Sequence, residues 1–362
     1  MFDTSKDINI LVGDSRNTLK EIPDSTVNCV VTSPPYYALR SYIDNDSPDK
    51  QYEVGIETTP ESYIESLCNV FEECYRVLKD DGVMFVNIAD TYNGSKNYGK
   101  RYNLDLKKHS DEFIDKIAPT NKRLYEGAKE KDLIGIPFML AFALRNYGWY
   151  WRDTIIWAKG VSGTHVFGSC MPESVKDRTN KSHEYIFMFT KSPKYYYDWE
   201  SVSEYTKDIS NKRCFRGGNP DNRKRAGEYD YAINTEAQLK FFAKRKAELE
   251  QNPNRKYKRI RRSVWTMKSS NSKVGHFAVY PPELAETCIL AGCPVGGIVL
   301  DPFGGSGTTS VVANMLGRKA VHCELNSNAV EIFEQRRTEI LKHFKKAESI
   351  DTSERKIRQG KW

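Results

Sequence analysis

An α/β fold, doubly wound about a mostly parallel sheet, is what this 362-residue sequence predicts, on three observations. Short apolar, β-branched runs bounded by turn residues recur seven times. Segments with helical spacing stand between several of them. One run leads through a glycine-rich turn straight into a helix start. Strands alternating with helices imply a sheet covered on both faces.

In chain order, the strand-like runs are Ile8 to Val12, Val27 to Val31, Val83 to Ile88, Arg152 to Trp157, Tyr185 to Phe189, Ile298 to Leu300 and Ala320 to Cys323. Each is short and apolar, the pattern of a strand buried on both sides. The helical segments are Pro60 to Lys79, Leu133 to Asn146, Pro282 to Ala291, Thr308 to Leu316 and Asn326 to His343. Two stretches break the rhythm. Residues 95 to 131 are polar, charged and poor in aliphatics, as in a mobile loop near the strand ends. Residues 201 to 262 begin turn-rich, continue through a helical run and close on Arg255-Lys256-Tyr257-Lys258-Arg259-Ile260-Arg261-Arg262.

The net charge of +7 is concentrated in that second stretch. It holds 17 Lys and Arg against 8 Asp and Glu, which leaves the remaining 300 residues slightly acidic. Clustered positive charge suits a polyanion, whereas a spread excess would serve solubility. The eight cysteines include no C-x-x-C pair, so no zinc or redox-dithiol site is signalled, and no metal is expected. With no membrane-length apolar run and no leader-like start, the chain reads as cytoplasmic. The expected organisation is 1–200 as a catalytic half, 201–262 as a recognition insertion, 263–345 as a cofactor-binding half and 346–362 as a flexible tail.

The sequence from Ile298 to Thr309 is strand, glycine turn and helix start, with Asp301, Phe303, Gly304, Gly305, Gly307 and Thr308 at the turn. Glycines let backbone approach a ligand, and a helix N-terminus offers free N–H donors. A phosphate loop is excluded because no lysine precedes Thr308. The dinucleotide fingerprint fails at Ser310. An acidic residue at the strand end instead suits an ammonium group, and Glu324, ending the next strand, suits a ribose diol. Together they point to a nucleoside that carries an amino acid.

Val27 to Thr32 runs into Ser33-Pro34-Pro35-Tyr36. The prolines fix the turn and lack N–H groups, so carbonyls there are left free to accept. Carbonyl and Ser33 hydroxyl acceptors can hold a base NH₂, whose lone pair is otherwise delocalised into its ring, while Tyr36 stacks on the base. A base inside a duplex must be flipped out to reach such a corner.

These two turns, in this order, resemble the β group of DNA amino-methyltransferases. Val12-Gly13-Asp14-Ser15, Trp157-Ala158-Lys159, Met171 to Val175, His183 to Lys191 and Gly275 to Leu284 resemble it too. The resemblance implies a class I, Rossmann-like methyltransferase fold with a seven-stranded sheet and a reversed final strand, and S-adenosyl-L-methionine as cofactor. Residues 298–324 would supply the first two strands and 8–31 the next two. It assigns Asp14 to the cofactor adenine and Glu324 to the ribose, with Phe277 and Pro281-Pro282 walling the methionine side. It also makes residues 201–262 the reader of double-stranded DNA through Arg255, Lys256, Lys258, Arg259, Arg261 and Arg262. Serine before the two prolines is usual for cytosine-N4 enzymes and aspartate or asparagine for adenine-N6 enzymes, so Ser33 favours cytosine N4. Adenine N6 and a non-catalytic nucleic-acid-binding module are the alternatives. Cytosine C5 chemistry is disfavoured by the lack of a Pro-Cys nucleophile. The residues leave the recognition sequence open; a homodimer and a cognate restriction enzyme are admitted as further partners.

Overall fold

The computed structural model describes residues 2–39, 41–93, 125–162, 166–168, 170, 173, 175–206, 257–269 and 279–348. In chain order the strands are β1 (Ile8–Val12), β2 (Val27–Thr32), β3 (Leu78–Ile88), β4 (Tyr150–Ala158), β5 (Gly160–Val161), β6 (Phe167–Gly168), β7 (His183–Thr190), β8 (Glu204–Thr206), β9 (Tyr257–Arg259), β10 (Val264–Thr266), β11 (Ile298–Asp301) and β12 (Lys319–Glu324). The helices that matter below are α1 (Ser15–Thr18), α2 (Pro60–Val77), α3 (Ile136–Tyr147), α4 (Pro282–Gly292), α5 (Thr308–Met315) and α6 (Ala329–Glu348).

The main sheet has the order β1-β12-β11-β2-β3-β7-β4-β10. The seven expected strands all lie in it, and β10 adds an eighth by pairing parallel to the edge of β4. From β1 to β3 every pairing is parallel. The reversed strand is β7, antiparallel to both β3 and β4. Strand β3 begins at Leu78, earlier than the apolar run starting at Val83 suggests. The chain leaves α2 directly into the strand, and its register against β2 is broken between Val27 and Cys29, which accommodates the polar Lys79-Asp80-Asp81-Gly82.

Helices cover both faces for reasons written in the sequence. Helix α2 opens on a capping box between Thr59 and Ser62 with Pro60 in its first turn. It buries Tyr63, Leu67, Val70 and Cys74, spaced three and four apart, as one stripe. With Leu140 and Leu144 of α3 these residues join Val30, Met84 and Val86 in one core cluster. The alternate residues of β2 and β3 point the other way. A Cβ on Gly292 of α4 would lie within 2.9 Å of Cys29 Sγ and of the Phe85 ring, so that helix packs close against the opposite face. No described helix is long and apolar enough to cross a membrane.

The contacts divide the chain into two units. One comprises Met1–Ser201 with Arg262–Ala347, and holds the sheet; the other comprises Val202–Arg261 with Glu348–Trp362. In the second, β8 and β9 form an antiparallel pair in which Glu204 faces Arg259.

The sheet order carries one functional consequence. Strand β11 sits between β12 and β2, so the chain winds outward in opposite directions from the β11–β2 boundary. In open α/β sheets the crevice beyond the carboxyl ends at such a reversal is where ligands bind. Here those ends are Asp301 and Thr32.

Candidate active site

The two turns singled out in the sequence meet at this boundary. Thr32 Oγ1 donates to Asp301 Oδ1 at 2.6 Å. Beyond that bond, one cleft is lined by Ser33 to Tyr36 on one side and by Asp301 to Ser306 and Thr308 on the other. Asp14 and Glu324 line it as well. The space within it is about 1040 Å³, open mouth included.

Asp301 is 2% exposed, and its oxygens are engaged by protein. Oδ2 accepts from Thr309 Oγ1 at 2.6 Å and from Tyr280 OH at 3.2 Å, while Phe303 N donates to Oδ1 at 3.2 Å. Burial pushes its carboxyl up to about 6, against the opposing pull of those donors. The residue therefore does more than face a ligand: it ties β11 to β2, to α5 and to the segment before α4.

The glycines divide the work between them. Gly305 N–H donates to Glu324 Oε2 at 2.8 Å, and Asn326 N–H donates to Oε1 at 3.0 Å. The Leu325 N–H also engages this carboxylate, so only part of its acceptor capacity remains open to the cleft. Burial raises the Glu324 carboxyl, with the backbone donors opposing. Gly304 sits so close to His322 that a Cβ would come within 2.3 Å of its ring. Gly307 has φ +89° as the N-cap of α5, and a Cβ there would meet the Phe333 ring at 2.2 Å. Gly307 is outside the cleft lining, so its glycine is required by the turn and by α6 packing.

At the corner after β2, Tyr63 OH donates to the Pro35 carbonyl at 2.7 Å. Tyr36 OH donates to Glu184 Oε2 at 2.6 Å and receives Asn87 Nδ2 at 3.0 Å. Burial, then the Glu184 charge, pushes the Tyr36 phenol well above its ordinary range, so it stays protonated. Glu184 also receives Asn87 Nδ2 at 2.7 Å and pairs with Lys159.

Several expected positions fall differently. Pro281 is buried as the N-cap of α4 and does not line the cleft; Val279 and Tyr280 form that wall, because the Pro281-Pro282 pair begins the helix and turns the chain inward. Phe277, Arg255 and Lys256 lie outside the described residues, as does the side chain of Lys258. Residues 94–124, most of the expected 95–131 loop, also lie outside them. Asp14 lines the cleft and caps α1, and its carboxylate pairs with Arg16 at 2.9 Å. Arg259 pairs with Glu204 at 2.8 Å across the antiparallel β8–β9 pair.

Other residues carry no motif that would signal them. Tyr42, Ile43, Tyr52, Glu53 and Val54 form a wall of the cleft, from a segment without periodicity. Glu53 holds it closed by accepting from Tyr42 N–H and Ser41 and pairing with Lys50 at 2.7 Å. Asn87 and Glu184 do leave a trace, as polar residues set into or against the apolar runs of their strands.

The donor set fits S-adenosylmethionine. Among the described residues the lining includes Asp14, Glu53, Asp301 and Glu324 and no lysine or arginine, which suits a cationic amino-acid nucleoside better than a phosphate. The Ser306 hydroxyl, 1% exposed and without a hydrogen-bond partner, lines the same cleft as an orphaned polar group that a bound ligand can satisfy.

Comparison with known proteins agrees with this geometry. A family model described as DNA methylase, of the N6 and N4 type, matches residues 27–335. The chain is 36% identical over 327 residues to the Type II methyltransferase M.SmaI of Serratia marcescens, covering 90% of this chain and 89% of that protein. It is 38% identical over 320 residues to the Type II methyltransferase M.Cfr9I of Citrobacter freundii, covering 88% and 84%. Among solved structures, the PvuII DNA methyltransferase (cytosine-N4-specific) shares the fold with a TM-score of 0.54 at 15% identity, over 91% of this chain and 86% of that one. A sheet that reverses direction where two motif-bearing turns share one acidic cleft, together with relatives matched along nearly their whole length, establishes that this chain belongs to the N6/N4 DNA methylase family, the DNA amino-methyltransferases.

Proposed function

We propose that the protein methylates the exocyclic N4 amine of a cytosine flipped out of double-stranded DNA, at a specific recognition sequence. The observation that carries this reading is Ser33, in the lining of the cleft, next to the Pro34 carbonyl of a proline corner and in the same cleft as the Asp301 turn. When bound, S-adenosylmethionine supplies an electrophilic methyl group on a sulfonium, which departs as a neutral thioether. The chain's own residues do the rest. Ser33 Oγ and the Pro34 carbonyl accept from the two amine N–H groups and draw the nitrogen lone pair out of conjugation. Tyr36 stacks on the extruded base. Asp301, Glu324 and Asp14 hold the amino-acid, ribose and adenine parts of the cofactor. The acidic cleft stabilises the cationic donor, and the amine proton released after transfer leaves to solvent through the open mouth.

Incubation of DNA with enzyme and cofactor, followed by mass spectrometry of the nucleosides, tests the target atom. The expected product is 4-methylcytosine; 6-methyladenine alone overturns the assignment. The Type II designation of the relatives supports a place in a restriction–modification pair, with a cognate restriction enzyme as functional partner.

Residues 201–262 serve as the DNA-reading insertion in this mechanism, on the strength of their charge. Neutralising Arg261 and Arg262 together is expected to lower the slope of log affinity against log salt by about 1 to 2, one unit or slightly less for each phosphate the protein ceases to neutralise. Salt titrations by fluorescence anisotropy read it; an unchanged slope in the double variant moves the phosphate-binding role to other residues.

A further inference from the structure

Behind the catalytic corner lies a partly buried ion pair that the reaction as described does not use. Glu184, 7% exposed, is the second residue of β7, and Lys159, its side chain 25% exposed, follows β4; their side chains pair directly. The Lys159 ammonium also stands 4.9 Å from the centre of the Trp157 ring. Neither residue lines the cleft, so neither touches a base seated there. Burying two charges is costly even when they are paired, and an apolar pair of the same volume would serve packing as well. What a carboxylate adds at this point is direction.

An ionised carboxylate only accepts hydrogen bonds. Tyr36 OH, 2.6 Å from Glu184 Oε2, must therefore donate its single proton to it. The phenol oxygen is then left as an acceptor, and receives Asn87 Nδ2 at 3.0 Å and the Ser33 hydroxyl at 3.4 Å. The Ser33 proton is directed to Tyr36. Asn87 Nδ2 also stands 3.4 Å from Ser33 Oγ, but its two hydrogens are directed to the nearer Glu184 and Tyr36 oxygens. The Ser33 lone pairs are left to accept, on a residue that lines the cleft. We infer that Glu184, neutralised by Lys159, is a positioning residue that sets the polarity of the chain Glu184–Tyr36–Ser33, so that Ser33 meets the target amine as an acceptor and never as a second donor. The same bond pins the far end of the Tyr36 ring in its stacking orientation. This inference rests on the reading that Ser33 contacts the amine.

The test removes the direction without leaving an orphaned charge. In Glu184→Gln with Lys159→Met, the amide can present either end to Tyr36, so the phenol proton is free to turn toward Ser33. The expected result is a kcat lower by about 10- to 100-fold, the size of one charge-assisted hydrogen bond, with KM for DNA within about threefold of the parent. Cofactor affinity by calorimetry and the thermal midpoint stay near parental values. Tyr36→Phe lowers kcat in the parent but adds almost nothing in the double variant, because both changes cut the same chain. Parental kcat in the double variant, or fully additive losses with Tyr36→Phe, overturns the inference. So does a kcat loss accompanied by an equal loss of cofactor affinity and melting temperature, which marks a purely structural pair. Ser33→Ala separates the two levels. If it keeps parental kcat, the reading of Ser33 as the amine acceptor fails; if it is impaired while the Glu184 variant is not, only the positioning role fails.

Discussion

Replacing Tyr36 with alanine is expected to lower the rate of methyl transfer by roughly 100-fold or more while cofactor affinity stays within about threefold. Loss of a base–aromatic stack is worth about 1–3 kcal/mol, and the truncation also removes the acceptor toward which the Ser33 proton points. Both effects bear on the extruded base. Cofactor binding is spared because the Asp301 turn, Glu324 and Asp14 make no hydrogen bond to Tyr36 among the described residues. Single-turnover methylation with calorimetry on the same preparation separates the effects. A variant that turns over at the parental rate contradicts stacking as an essential step.

Asp301 carries the second large effect. Asp301→Ala is expected to weaken cofactor affinity by about 10- to 100-fold, the worth of a negative charge beside the ammonium rather than of a direct hydrogen bond, since protein donors already occupy both of its oxygens, and DNA affinity by less than about threefold. Alanine also takes the acceptor from Thr32 and one of the partners of Thr309 and Tyr280, so Asp301→Asn is the cleaner comparison. The pH dependence follows from the buried carboxyl, raised from an ordinary 3.8 to about 6. Between those values the folded protein holds a proton that the unfolded chain has lost. Stability from this group is therefore fully present below about pH 4 and is lost as pH rises through about 6, on the order of 3 kcal/mol. Affinity for a cationic ligand runs the other way. It increases as the carboxyl ionises through about pH 6 and levels off above, and Asp301→Asn flattens the curve. A parental affinity that falls across that window contradicts the assigned role.

Much of this site is legible in the sequence because its chemistry is local. Strand β1 can be read to the residue, and β2, β11 and β12 to within one residue at either end; for β2, β11 and β12 the reason is that interior strands covered on both faces must be largely apolar. The turns after β2 and β11 announce themselves through proline and glycine, whose backbone constraints act wherever they stand. Strand order leaves no such mark. That β11 lies against β2, nearly 270 residues away in sequence, follows from packing α4 and α5 on the sheet and cannot be read from a window of residues. Gly307 illustrates the same limit: its place in the motif suggests a ligand contact, but Phe333 of α6 is what fills the space beside it. The wall from Tyr42 to Val54 is invisible because an irregular segment held by Glu53 has no period to detect. Asn87 and Glu184 are detectable in principle. A lone amide and a lone carboxylate within strands such as Val-Met-Phe-Val-Asn-Ile and His-Glu-Tyr-Ile-Phe need partners, and here they are one another's.

In the proposed mechanism a single cleft brings the methyl donor and the base amine together across the β11–β2 boundary. A crystal structure with S-adenosylhomocysteine and duplex DNA containing the methylated sequence tests this most directly. The expected result is an extruded cytosine stacked on Tyr36, its N4 within hydrogen-bond reach of Ser33 Oγ and the Pro34 carbonyl, and the ribose of the cofactor product on Glu324. A base that stays in the helix, or a cofactor product bound away from the Asp301 turn, would contradict it.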